Sequence, residues 1–347
     1  MRLRRVLAPD EGYYHVISRI AGQQFLLNAK EKDVLTDLLF RTAEFSGVEV
    51  FTHVFMDNHF HLLLKVPRVQ EVDDEELVRR MTVLYGNTKT ERILNSWETW
   101  EKKGLNFKVL DAKAALRRRM YDLSQFCKTL KETYSMSYNR RNGHSGTIWG
   151  SRFKSQLLAP DYKTLMTVGA YIDLNPVRAD IGDAPGAYRW SGAGMAKRGH
   201  TISRNGIRSL VAMAYKNESV DYEMAMKLYA SAMDGFIEHP VADKSEEQEE
   251  VQSETVPRQQ TFEVDDVEDR IEKGGKLSLY EMLRCKVRHF SHGLAIGPAS
   301  FVYDVVSTLT SRKNTVRRCD CCDDIQLYTA RWLRGDDKVS VPKQRAG

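Results

Sequence analysis

Two histidines one residue apart, His59 and His61, sit in the run His59-Phe60-His61-Leu62-Leu63-Leu64, bounded by Asp57-Asn58 and Pro67. So apolar a run reads as a buried strand, and the period of two points both imidazoles out of one face. Phe60, Leu62 and Leu64 take the opposite face. A pair of imidazoles on a rigid sheet suits a metal or phosphate site, although an isolated His-x-His is more often a pair of satisfied cross-strand histidines. Further along, Tyr171 and Asn175 stand four apart on a helix that precedes Pro176, so their side chains leave the same stripe. A phenol and an amide there read equally as a boundary residue and a C-terminal cap.

The elements that must carry these groups follow from pattern. Tyr13 to Ile20 alternates as a strand, and Val34, Leu35, Leu38 and Leu39 mark a helix over 30–45 that Gly47 ends. Val48 to Phe55 is rich in β-branched and aromatic residues, and the short break at 56–58 folds it back on the histidine strand as a hairpin. Residues 69–115 read as a mostly helical insertion, and 120–134 as an amphipathic helix with Leu123, Phe126, Cys127 and Leu130 on one stripe. A loop at 142–146 and a segment containing a short strand, 147–158, follow. Asp161 caps a helix running to Leu174, which Pro176 terminates. Gly194 and Gly206 suggest looser structure before a helical stretch over 207–233. The acidic, polar segment 244–262 reads as an exposed linker. Beyond it, 277–290 and 298–309 read as two helices of a small basic unit spanning 263–336, with a polar tail from 337.

The 347 residues carry a formal net charge of +5, with 29% charged and 42% hydrophobic residues, which is ordinary for a globular protein. No apolar run approaches a bilayer span, and the N-terminus lacks the apolar core of a secretion signal, so a membrane partner is not expected and a cytoplasmic location is. Five cysteines, three of them in Cys319-Asp320-Cys321-Cys322, do not form a disulfide framework. Cys319 and Cys322 with His289 and His292 match common zinc fingers poorly, and free thiols are the expectation.

The block Tyr171-Ile172-Asp173-Leu174-Asn175-Pro176-Val177-Arg178 resembles the signature of the single-tyrosine transposases, in particular the REP-associated tyrosine transposases. Tyr14-His15-Val16-Ile17-Ser18-Arg19, Met56-Asp57-Asn58-His59-Phe60-His61, Tyr138-Asn139-Arg140-Arg141, Gly146-Thr147-Ile148-Trp149, Arg152-Phe153-Lys154-Ser155 and Tyr188-Arg189-Trp190-Ser191 fall in the family's order. The resemblance covers 12–191. It implies an α+β fold, a ferredoxin-like (RRM-like) antiparallel palm with helices, as a catalytic unit over 1–195; the insertion at 69–115, the helical extension over 196–243 and the helical C-terminal unit beyond depart from a compact family member. It implies that His59, His61 and Asn175 bind Mg²⁺ or Mn²⁺, and that Tyr171 attacks a phosphodiester to leave a 5′-phosphotyrosine and a free 3′-hydroxyl. The substrate implied is single-stranded DNA beside a hairpin, in a transposition or repeat-processing role.

Arg19, Arg117, Arg118, Arg119, Arg140, Arg141, Arg152, Lys154 and Arg178, interleaved with Tyr134, Tyr138, Trp149 and Phe153, suit phosphates and unpaired bases. The two C-terminal helices offer a helix-turn-helix for duplex DNA, or merely a positive, soluble face. Family members act as monomers or as dimers that exchange helices, which leaves Tyr171 in cis or in trans. Two other readings stand beside this one: a DNA-binding regulator that keeps the fold without turnover, and a metal-dependent nuclease with no covalent step.

Overall fold

A computed structural model of the chain describes residues 5–182, 184–237, 277–284, 290, 293–308, 314–319 and 326–332. Its centre is a sheet in the order β2-β3-β1-β4-β5-β7-β6. The strands are β1 (Gly12–Arg19), β2 (Glu49–Phe55), β3 (His59–Val66), β4 (Lys154–Leu158), β5 (Ala295–Gly297), β6 (Asn314–Arg318) and β7 (Tyr328–Trp332). Every neighbouring pair is antiparallel except β4 and β5.

The two faces of this sheet carry different loads. Val16, Leu62, Leu64 and Leu157 point to one face, where they meet Leu35 and Leu39 of α1 (Ala29–Ser46) and Phe126 and Leu130 of α5 (Leu123–Asn142) in one apolar cluster. Asn28 caps α1, and Gly47 ends it at φ 65°, a left-handed conformation that glycine adopts without Cβ strain. The insertion holds three helices, α2 (Asp74–Tyr85), α3 (Asn87–Lys102) and α4 (Asn106–Arg117), around a separate cluster of Leu77, Met81, Trp97 and Val109.

On the other face lies α6 (Tyr162–Asp173), capped by Asp161, whose side chain accepts from Thr164 N. Every residue of α6 from Thr164 on is buried, as a helix must be when a sheet lies beneath it and other helices lie above. The covering helices are α8 (Gly192–Lys197), α9 (Thr201–Tyr215), α10 (Tyr222–Met233) and α11 (Leu279–Arg284), which contribute Ala193, Leu210, Ala225 and Met282 to the same core. A last helix, α12 (Ala299–Ser307), follows β5.

Four expectations need correction. Asn175 does not share the helix of Tyr171: α6 stops at Asp173 with Leu174 as its C-cap, and Asn175 and Pro176 open a further turn, α7 (Asn175–Arg178), where a proline's missing N–H is harmless. Residues 207–233 are two helices, divided where Lys216 takes φ 53°. Gly194 and Gly206 lie inside helices, and their role is close approach: a Cβ at 206 would lie 2.7 Å from Phe51 O, and one at 194 would lie 2.8 Å from the Tyr188 carbonyl carbon. The C-terminal unit is not helical throughout. Besides the two expected helices, seen as α11 and α12, it supplies β5, β6 and β7, which prolong the sheet from β4. The linker at 244–262, the tail from 337, and Lys286, Arg288, His289, His292, Arg312, Lys313, Cys321 and Cys322 lie outside the described residues. Cys319 is buried against Met282 Sδ. Among the described residues no helix is long and apolar enough to cross a membrane.

Candidate functional site

Register brings the chemistry together. Arg19 pairs with His59 and Ile17 with His61 across β1 and β3, while His15 pairs with Gln156 across β1 and β4. Alternation therefore sets His15, Ile17, Arg19, His59, His61, Lys154 and Gln156 on the face that α6 covers. The rings of His59 and His61 are 5.2 Å apart between centroids and nearly perpendicular. Tyr171, on the last turn of α6, presents its ring edge-on to His61 at 6.3 Å and to His15 at 6.2 Å. The Tyr171 ring and these imidazoles lie together within one chain.

His15 is the member that the sequence reading passed over. It is 0% exposed, its Nε2 lies 2.8 Å from His61 Nδ1, and its Nδ1 lies 3.2 Å from Gln156 Oε1. A lone histidine on an apolar strand gives no signal by itself; only the β1–β3–β4 register reveals it. His59 Nδ1 is 2.6 Å from Asn58 Oδ1, and the ring also has a hydrogen bond with Asn175. Burial drives His15 down to about 4 and, with the positive charge of Arg19, His59 down to about 4. His61 is held well below the ordinary histidine value by burial and by its two imidazole neighbours. Neutral rings at pH 7 keep their lone pairs.

In each of the two strand histidines Nδ1 faces a polar neighbour, Asn58 Oδ1 for His59 and His15 Nε2 for His61, the pattern in which a neighbour orients an imidazole for ligation. With the Asn175 amide oxygen beside His59, the donor set is two imidazoles and one oxygen, which fits a divalent cation that keeps sites for water and phosphate oxygens. Among the described residues there is no cluster of three His, Cys, Asp or Glu side chains suited to a metal, so a cation here depends on the amide and on substrate.

The tyrosine is enclosed. It is 6% exposed, with the Phe290 ring 4.9 Å away and the Arg178 guanidinium 3.9 Å above its own ring. Arg178 donates to Tyr171 O at 2.5 Å and to Leu283 O at 2.6 Å, tying α6, α7 and α11 together. Two residues past Tyr171, the carboxylate of Asp173 accepts from Thr52 Oγ1 (2.5 Å), Tyr229 Oη (2.5 Å) and Ala193 N (2.9 Å). Burial raises its pKa, against the pull of those bonds.

The cations expected to bind DNA divide sharply. Arg178, 8% exposed, is occupied by the Tyr171 ring and by two backbone carbonyls. Trp149 is buried and spends its indole N–H on Lys131 O, so it has no face to offer a base. Arg117 donates to Val72 O and pairs with Asp74, Arg119 bonds Tyr85 and Thr129, and Arg141 pairs with the buried Glu31. These arginines brace the insertion and α5. Arg19, Arg118, Arg140, Arg152 and Lys154 are exposed. Of these, Arg19 and Lys154 share the histidine face. A cleft along α5 is lined by Arg5, Lys128, Lys131 and Arg152, of which only Arg152 was anticipated.

No family model and no curated protein matches the chain. Among solved structures, one described as "Structure of the REP associates tyrosine transposase bound to a REP hairpin" is similar over 58% of this chain and 90% of that chain, at 14% identity and a TM-score of 0.37. A likeness that weak carries no argument about chemistry, which rests on the residues themselves.

Proposed function

We propose that this chain is a DNA strand transferase of the single-tyrosine type, cutting and rejoining single-stranded DNA beside a hairpin. The observation that carries the reading is the meeting of Tyr171 with the His59–His61 pair and Asn175 over one sheet face. The order β2-β3-β1-β4, with α1 and α5 on the face opposite, supports a ferredoxin-like palm.

In the proposed reaction the Tyr171 phenolic oxygen bonds to phosphorus as the bond from phosphorus to the 3′ oxygen breaks. The phenolic proton departs, the released oxygen becomes a 3′-hydroxyl, and a 5′-phosphotyrosine remains. Tyrosine suits both directions, since a phenol of ordinary pKa near 10 leaves more readily than an alcohol. His59, His61 and Asn175 would hold Mg²⁺ or Mn²⁺, which when bound supplies Lewis-acid withdrawal of charge from the scissile phosphate. Arg178 holds the tyrosine ring, and the low exposure of that ring means that Phe290 and the 283 region must shift before a phosphodiester reaches it. Arg19 and Lys154 supply phosphate contacts beside the imidazoles.

The test incubates the chain with a labelled hairpin-bearing single strand and Mg²⁺. The expected result is a denaturant-resistant protein–DNA adduct that is lost in Tyr171→Phe. Cleavage that persists in Tyr171→Phe without any adduct replaces strand transfer by metal-dependent hydrolysis.

A further inference from the structure

We infer that His15 and Gln156 form a positioning relay that decides which nitrogen of His61 carries its proton. The inference rests on the metal-assisted reading above and names residues which that reading does not use. Two neutral imidazoles share one N–H···N bond, and it can run in either sense. If His61 Nδ1–H donates to His15 Nε2, then His61 Nε2 is a bare lone pair. In the opposite sense His61 Nε2 carries the hydrogen and cannot ligate.

The surroundings select the first sense. Gln156 Oε1 faces His15 Nδ1, and the Phe290 backbone carbonyl also takes a hydrogen bond from His15. Both oxygens can only accept, and a neutral ring has one N–H to give. His61 is the neighbour of His15 able to donate, so pairing the most atoms sends the His61 Nδ1 proton toward His15. The choice leaves the Gln156 Nε2 without a partner among the described residues, an uncompensated buried group that a purely structural glutamine would turn to avoid. Turning that amide reverses the whole chain. What lies behind it is the backbone at Gly293, where a Cβ would stand 3.0 Å from Gln156 Nε2. The C-terminal segment therefore backs the relay, and β5, paired with β4, brings it there.

The experiment reads imidazole ¹⁵N shifts in the full chain without metal, and then Mn²⁺ affinity by EPR. The expected result is His61 protonated at Nδ1 and bare at Nε2. In Gln156→Met, which removes the acceptor, the His61 proton redistributes toward Nε2 and Mn²⁺ binding weakens about tenfold to a hundredfold. His61 found protonated at Nε2 in the unaltered chain overturns the inference, as does a folded Gln156→Met that binds Mn²⁺ as tightly as the unaltered chain. Should Gln156→Met fail to fold, the shifts of the unaltered chain still decide. A chain with the expected protonation that binds no Mn²⁺ sinks the metal reading and leaves the relay standing.

Discussion

Two polar clusters flank the end of α6, two residues apart, and they are built on opposite principles. At Asp173 each neighbour is a donor aimed at the carboxylate: two hydroxyls and a backbone N–H, from β2, α10 and α8. At Tyr171 the neighbours are imidazoles and amides that retain unused capacity, including the bare Gln156 Nε2. A saturated buried network rigidifies, whereas one with atoms to spare is costly unless a ligand completes it. The difference separates the anchor of this helix from the turn that faces the imidazoles.

The largest effects should split along that line. Tyr171→Phe should abolish the covalent adduct while leaving the denaturation midpoint where it was, since among the described residues no hydrogen bond from that hydroxyl braces the fold. Asp173→Ala should do the reverse, costing roughly 3–5 kcal/mol in urea denaturation by stranding Thr52, Tyr229 and Ala193 N in a dry interior. A Tyr171→Phe chain that melts early would erase the distinction.

Acid sharpens the comparison next. His53 is buried between Phe40 and Phe55 and pushed down to about 3 by burial and by His200, so the unfolded chain takes up its proton near pH 6.5 while the native ring does not. Stability that this ring contributes above pH 6.5 is therefore lost as pH falls toward 3, at roughly 1.4 kcal/mol per unit. Asp173, whose pKa is raised, acts with the opposite sign and favours the fold more as pH drops through the carboxylate range. Denaturation measured between pH 6.5 and 4 should lose stability with acid, and His53→Leu should flatten that slope by about one group's worth. The smallest effect concerns the surface: Arg19→Gln should lower the salt slope of DNA binding by about one, and Arg119→Gln should leave it unchanged, because Arg119 is committed to Tyr85 and Thr129.

Much of the palm was legible because local signals agreed there. The alternation of β1, the cap and glycine stop of α1, the hairpin around Asp57-Asn58 and the Asp161 cap each depend on a few adjacent residues. The His59–His61 face was legible for the same reason. His15 and Gln156 were not, since their meeting is a matter of register between strands far apart in sequence. The arginines misled in a related way: a guanidinium looks the same whether it awaits a phosphate or braces Glu31, and only its partner tells. The C-terminal strands are three to five residues long and take their pattern from the neighbours they join, and β5 falls between two segments of helical spacing.

The parallel joint between β4 and β5 has a consequence for how the protein comes to exist. Its partners are separated by well over a hundred residues, and a parallel pairing so distant forms late, after hairpins and local helices have condensed. During synthesis the β2-β3-β1-β4 half emerges from the ribosome long before Phe290 and Gly293 do, so a nascent chain carries its phenol and paired imidazoles with neither lid nor backstop. Enclosure of the Tyr171 face therefore waits on a strand made long after the sheet that it joins.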